Sequence, residues 1–397
     1  MTLHFKIAFK LRNVAIATAL SLSLLSTAFS QTNVAQKPLA LATMGSFFFG
    51  GTVEQRADGD TFHGDHGYAQ YYVAAHSRSL PIVMWHGIGQ SGKTFESTPD
   101  GREGYQAILP RNDWSIYIID QPRRGRAGYT SAPNVKTNIP TTVSEAGVWR
   151  AFRNGPWNKP EKASFYSVSQ FPVSGYAIDQ FFRQQTPDTG EEPSTSEYRA
   201  QMGQTAKALF DRIGDGILMT HSNSGQYGWE AAMAAPNKIK AIIAYEPGMC
   251  AFPIENPPAL VKAASELAAT RLAPRMVPMS KWMALTKMPI VIFYGDNIVN
   301  NPSTNFNEDV WRLSRARAKQ FVELVNKYGG DARLIELPSL GIRGNTHAAF
   351  ADKNNLQVAD VLFRWLRSKK LDGYATPHTG PMPMTMSVNI PLDTNAR

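Results

Sequence analysis

The stretch LMTHSNSGQYG, residues 218–228, decides the fold. Apolar Leu218 and Met219 close a strand-like run, a hydroxyl- and histidine-rich corner follows, and Gly225 and Gly228 open a helical segment. A corner this sharp can present a nucleophile on strained backbone, provided the residues two before and two after it are small enough for strand and helix to approach. Centred on Ser222, the flanks are Thr220 and Ser224, both small; centred on Ser224, they are Ser222 and the bulky Gln226. Ser222 is therefore the candidate nucleophile, in a Thr-x-Ser-x-Ser variant of the Gly-x-Ser-x-Gly pattern. The competing reading is an ordinary turn whose serine caps the helix.

Outward from this corner, short β-branched and aromatic runs alternate with helical patterns. Runs at 80–85, 114–119, 216–220, 239–244, 289–294 and 332–337 have the length and apolarity of strands buried on both faces. Two leading runs, 46–54 and 68–74, read as an antiparallel pair. Helical patterns at 310–328 and 356–366 complete an alternation that predicts an α/β fold: a mostly parallel central sheet flanked by helices. Two segments exceed what a crossover needs and are expected to form cap insertions, about 131–212 and 250–288. The first contains Trp149, Trp157, Phe165, Phe171, Phe181 and Phe182, candidates to line a pocket; the second carries a helical pattern at 259–270. The tail, 374–397, is rich in Pro, Met and Thr and reads as loosely ordered.

A serine hydroxyl needs a histidine to take its proton and a carboxylate to orient that histidine. His347 follows the last strand in a glycine-containing loop, whereas His378, the later one, sits in the tail. Two carboxylates compete for the third role: Asp296 in Gly-Asp-Asn after the seventh strand, and Glu246 before Pro247-Gly248 after the sixth. Spacing leaves both open. After the third strand, Trp85-His86-Gly87-Ile88-Gly89 offers the Ile88 N–H to a developing oxyanion, and the N–H of Asn223, at the helix start, offers a second donor. The loop 120–131, beginning Asp120-Gln-Pro-Arg-Arg-Gly-Arg, reads as structural, its arginines as positioning groups.

The chain has 397 residues, 43% apolar and 18% charged, with a formal net charge of +9. Lys6, Lys10 and Arg12 precede an apolar run, 14–29, and a small-x-small exit at Ala28-Phe29-Ser30. Residues 1–30 therefore read as a signal peptide and 31–397 as the mature domain, exported to the periplasm or medium without a stable membrane anchor. The remaining charge is scattered, with no basic helix interleaved with aromatics, so nucleic acid is not an expected partner. One cysteine, Cys250, excludes an internal disulfide. His63, Asp65 and His66 have the residue types of a metal site, but on a flexible connection they read as turn formers; no metal or organic cofactor is expected.

Beyond these local readings, the span from Gly45 to about Arg367 resembles the α/β-hydrolase superfamily. More narrowly it is similar to secreted bacterial carboxylesterases with a Ser-Glu-His triad. The resemblance rests on SFFFGG at Ser46, ESTPDGREG at Glu96, IIDQPRRGR at Ile118, THSNSG at Thr220, AYEPG at Ala244 and GNTHAAFADKNNLQVAD at Gly344. It implies Ser222 as nucleophile, His347 as base and Glu246, rather than Asp296, as acid. It also implies a serine acyl-enzyme acting on a small-molecule carboxylic ester, without a cofactor. An amidase, lactonase or polyester hydrolase would use the same triad, and a non-catalytic homologue would keep the fold alone.

Overall fold

The computed structural model describes residues 38–130, 143–158, 160, 162–185 and 192–376. The expected leader, His378 and most of the expected tail lie outside the described residues.

Eight strands form the central sheet: β1 (Leu41–Phe49), β2 (Gly67–Ala74), β3 (Ile82–Trp85), β4 (Ile116–Asp120), β5 (Gly216–His221), β6 (Ile239–Tyr245), β7 (Pro289–Tyr294) and β8 (Asp331–Glu336). Their order is β1-β2-β4-β3-β5-β6-β7-β8. The expected antiparallel pair is β1 with β2; β2 also meets β4 antiparallel, and every later pairing is parallel. The expected strand at 46–54 divides at Gly50-Gly51, both at positive φ, and Thr52–Gln55 leaves to pair with Thr61–Gly64 as a separate hairpin.

Each buried strand feeds two cores, because successive side chains point to opposite faces. On β5, Leu218 joins the core on one face while Ile217 and Met219 join the other; on β3, Val83 and Trp85 are divided from Ile82 and Met84 in the same way. Among the described residues, the helices of six residues or more are α1 (Tyr105–Arg111), α2 (Glu145–Ala151), α3 (Gly175–Arg183), α4 (Ser196–Ile213), α5 (Ser224–Ala234), α6 (Glu266–Arg271), α7 (Phe306–Lys327) and α8 (Asn355–Ser368). The first core is covered by α4, α5 and α7, the second by α1, α8 and the segments around α2 and α3.

The first insertion is thus not all cap. Tyr198, Met202, Ala206, Leu209 and Phe210 of α4 are buried against the sheet, so the end of the insertion, from Ser196 on, is a crossover helix of the body. Around α2 and α3, Trp149 gathers Trp157, Phe165, Phe171, Phe181 and Phe182 at ring separations of 5.0 to 6.4 Å. Those six rings hold the insertion to the body. In the second insertion the helix is shorter than the pattern at 259–270 implies: only Glu266–Arg271 is helical, capped by Ser265, because 257–258 is Pro-Pro and the residues after it bury little. Among the described residues, no helix is long and apolar enough to cross a membrane.

Candidate active site

Ser222 stands at the corner between β5 and α5 with φ of 55°. That left-handed angle is costly for a residue with a Cβ and is held by its surroundings: the Ser222 N–H donates to the Tyr245 carbonyl (2.9 Å), and its own carbonyl accepts from Gly225 (3.0 Å) and Gly248 (3.1 Å). Two glycines permit the approach of α5: a Cβ on Gly225 would lie 2.5 Å from Pro247 Cβ, and one on Gly228 2.6 Å from Thr220 Cγ2. The second serine of the corner does something else. Ser224 is fully buried, accepts from the His221 N–H (3.0 Å) and lies 2.9 Å from the Trp85 and His221 carbonyls. It ties the elbow to β3, while Ser222 lines a cavity of about 220 Å³.

His347 lines the same cavity. Its Nδ1 lies 2.6 Å from Glu246 Oε2, with both side chains almost wholly buried. An ionised carboxylate only accepts, so Nδ1 carries the proton and Nε2 is left as a free base. Glu246 itself has φ of 45° and is anchored through its N–H to the Phe293 carbonyl (2.9 Å). Asp296, the rival from spacing, does not touch His347: it accepts from the N–H groups of Asn297 (2.8 Å) and Gly344 (2.9 Å), bracing the loop on which His347 sits.

A third charged group, which no sequence motif marks, completes the buried set. Arg153, just after α2, makes a fork on Glu246, with Nη1 2.7 Å from Oε2 and Nη2 2.5 Å from Oε1; its Nε donates to the Asp296 carbonyl (3.0 Å). Burial alone would raise the Glu246 pKa, but Arg153 and then His347 outweigh it and hold the carboxyl below its usual range. Burial lowers the pKa of His347; Glu246 opposes this and Arg153 adds to it, so the net direction is down and the imidazole is neutral at neutral pH. Residues 151–153 clamp the base as well: the Phe152 carbonyl accepts from the His347 N–H (2.9 Å), and the Ala151 carbonyl from Trp311 Nε1 (2.7 Å). Trp311 lies 4.1 Å from the His347 ring.

His221, adjacent to the nucleophile candidate, does not point away from the site as a sharp elbow suggests. Its ring lies 4.5 Å from that of His347 and lines the cavity. Its Nε2 is 3.1 Å from the His347 carbonyl, which can only accept, so Nε2–H donates and supports the loop. Burial and then His347 push its pKa well down, so it stays neutral.

Ile88 and Asn223 flank Ser222 on the cavity wall. Among the described residues, neither backbone N–H donates to a backbone carbonyl. His86 accepts from the Gln121 N–H (3.3 Å) at Nε2, so Nδ1–H donates to the Gly87 carbonyl (2.8 Å). Because the peptide is planar and trans, that bond turns the Ile88 N–H to the opposite side. A Cβ on Gly87 would lie 3.0 Å from Ser222 Cβ, so a side chain there would press on the nucleophile candidate. Behind Asn223, the side-chain amide donates to Glu192 (2.9 Å), which also pairs with Arg124 (3.1 Å). Asp120 accepts from Gly92 N–H (2.6 Å) and from Arg126. The arginines of that loop are thus positioning groups, as their context suggests. Asp65 is held by Arg123 and Thr130, at 2.6 and 2.8 Å.

The expected cap aromatics do not line the cavity; Phe152, Phe306 and Trp311 do, with Met249 and, from the second insertion, Arg271 and Leu272. The strand order, the crossovers and a positive-φ serine at the β5–α5 corner are those of the α/β-hydrolase fold. No protein-family model matches the chain. A probable secreted lipase, phiG, of Fungal sp. (strain ATCC 74256) is 25% identical over 325 residues, covering 76% of this chain and 86% of that protein. A solved structure described as a novel bacterial esterase is 28% identical with a TM-score of 0.65, covering 84% of this chain and 97% of the other.

Proposed function

We propose that the protein is a secreted carboxylic-ester hydrolase working through a serine acyl-enzyme, with Ser222 as nucleophile, His347 as base and Glu246 as the orienting acid. The observation that carries this reading is the buried His347–Glu246 pair at 2.6 Å, opening on the same cavity as a strained serine. The likeness to an esterase and a secreted lipase supports the reaction class.

In the first half-reaction, His347 Nε2 takes the Ser222 proton as Oγ bonds to the ester carbonyl carbon. The Ile88 and Asn223 N–H groups stabilise the oxyanion; His347 then returns the proton to the departing alcohol as the C–O bond breaks. A water, deprotonated by the same nitrogen, adds to the acyl-serine; collapse releases the acid and restores Ser222. Glu246 keeps the proton on Nδ1 throughout and stabilises the imidazolium. No step requires a metal or organic cofactor.

The test is Ser222→Ala in purified protein. Hydrolysis of short p-nitrophenyl esters and labelling by a fluorophosphonate should both vanish while the melting temperature stays near that of the wild type. Retained turnover, or an adduct mapped to Ser224, overturns the assignment.

A further inference from the structure

One wall of the cavity is backed by cationic groups that form no ion pair among the described residues. Arg271, at the end of α6, lines the cavity and, apart from two histidines, is the only ionisable side chain among the described residues that does. Behind it stands Arg275, half-buried, which contacts Met249 Sδ and donates from Nη2 to Ser194 Oγ (3.1 Å). Met249 belongs to the cavity wall, and its neighbour Gly248 holds the Ser222 carbonyl by its N–H (3.1 Å). The cationic wall is therefore two residue contacts from the nucleophile. Arg199 of α4 is half-buried nearby. Burial first, then repulsion from Arg199 and Arg271, brings the pKa of Arg275 down to about 10.

A half-buried guanidinium normally sits against a carboxylate. Here, among the described residues, none of the three arginines forms an ion pair, and Arg275 Nε and Arg199 Nη1 are buried with no acceptor. Of the neighbouring acids, Glu230, which acts on Arg199 through space, binds Lys281 (2.6 Å), Glu192 binds Arg124 (3.1 Å), and Glu197, which also acts on Arg199, is exposed and accepts from Ser196 Oγ (2.9 Å). An arginine at a water-filled surface would carry little meaning. Arg271 is itself exposed at the cavity, but Arg199 and Arg275 stand half-buried near it with no ion-pair partner among the described residues, and together they focus positive potential on whatever enters.

We propose that this wall, with Arg271 in contact with the ligand and Arg275 behind it, recognises an anion, and that the substrate is an ester bearing a carboxylate. The inference rests on the ester-hydrolase reading and narrows its substrate class. The planar fork of arginine matches a carboxylate in two parallel bonds, which gives direction as well as attraction.

The experiment compares isosteric pairs, one anionic and one neutral, on each side of the ester. On the acyl side the pair is p-nitrophenyl hemiglutarate and its ω-amide; on the alcohol side, the acetates of 3-hydroxybenzoate and 3-hydroxybenzamide. In at least one pair the anionic member should show a kcat/KM about tenfold higher at low salt, the size of a charge-assisted hydrogen bond. That advantage should shrink as salt rises. In Arg271→Gln the ratio should fall towards one, and in Arg271→Lys a part of it should survive. Equal or better turnover of both amides, or an anionic preference unchanged in Arg271→Gln, overturns the inference and leaves the ester-hydrolase reading standing. If neither member of either pair is turned over, both readings fall together.

Discussion

Replacing Arg153 by Met tests whether the first insertion governs Glu246, the proposed acid. The wild-type fork makes two bonds at 2.5 and 2.7 Å between side chains that are each 3% exposed. Removing one member of such a pair strands a buried charge, at a typical cost of about 3–5 kcal/mol. Glu246 would keep the Gly295 N–H (2.7 Å) and His347, which places the expected loss near the lower end, about 3 kcal/mol. For a chain of this size that is a fall in Tm on the order of 5 °C. The sign with pH is fixed by the direction of the shift. Glu246 is held below the ordinary glutamate range, so its contribution is complete above the unfolded pKa of about 4.3 and is lost as pH falls through the folded value. The stability gap between wild type and Arg153→Met should therefore be full at pH 7 and close on acidification. Kinetically, the positive charge that helps to lower the His347 pKa is gone, so the acid limb of the kcat/KM profile should move to higher pH. Turnover should fall by about 10- to 100-fold, short of the roughly 10⁴ that loss of a triad carboxylate costs. Arg153→Lys keeps the charge without the fork and should restore the limb more fully than the turnover. Differential scanning calorimetry and pH–rate profiles measure all of this. A pH-independent stability gap together with an unmoved acid limb would refute the reasoning.

In the wild type, the same lowered His347 pKa predicts that kcat/KM stays level as pH drops to the ordinary histidine value of about 6.5 and declines only below it; a decline starting well above that value contradicts the burial argument. Glu246→Gln should cost roughly 10³- to 10⁴-fold in kcat, whereas Asp296→Asn, which disturbs only the bracing of Gly344, should cost less than about tenfold. Asp352 is fully buried, accepts from Thr346 N–H (2.7 Å), and is pushed up by burial to about 6. The folded protein then binds a proton that the unfolded chain has released, so this group's contribution to stability should decline as pH rises from about 4 to 6; urea titrations of wild type and Asp352→Asn should differ in slope across that window and not above it. Gly344→Ala would set a Cβ 1.6 Å from the Val168 carbonyl at φ of 78°, and should lower both Tm and turnover because His347 is three residues on; an unchanged melting curve would show that the loop is free to shift.

Much of this molecule was legible from residue type and spacing alone. Apolar runs placed seven of the eight strands of the sheet, since a strand buried on two faces must be apolar at nearly every position, but caught only the end of the largely exposed β1. The small flanks of Ser222 singled it out over Ser224, since the steric demand of the corner is local. Local, too, is the placing of His347 and Glu246 just after strand ends. Tertiary structure alone decided the contacts that span the chain. Asp296 and Glu246 are equivalent by spacing, and only the paths of β6 and β7 bring Glu246 against His347. Arg153 lies 93 residues before its partner, in an insertion with no periodicity to mark it. Arg199, Arg271 and Arg275 are scattered along the chain, and their meaning comes from converging where none of them forms an ion pair among the described residues. Sequence carries preferences that act over a few residues; the pairing of buried charges depends on which backbone segments the packed sheet brings within hydrogen-bond range.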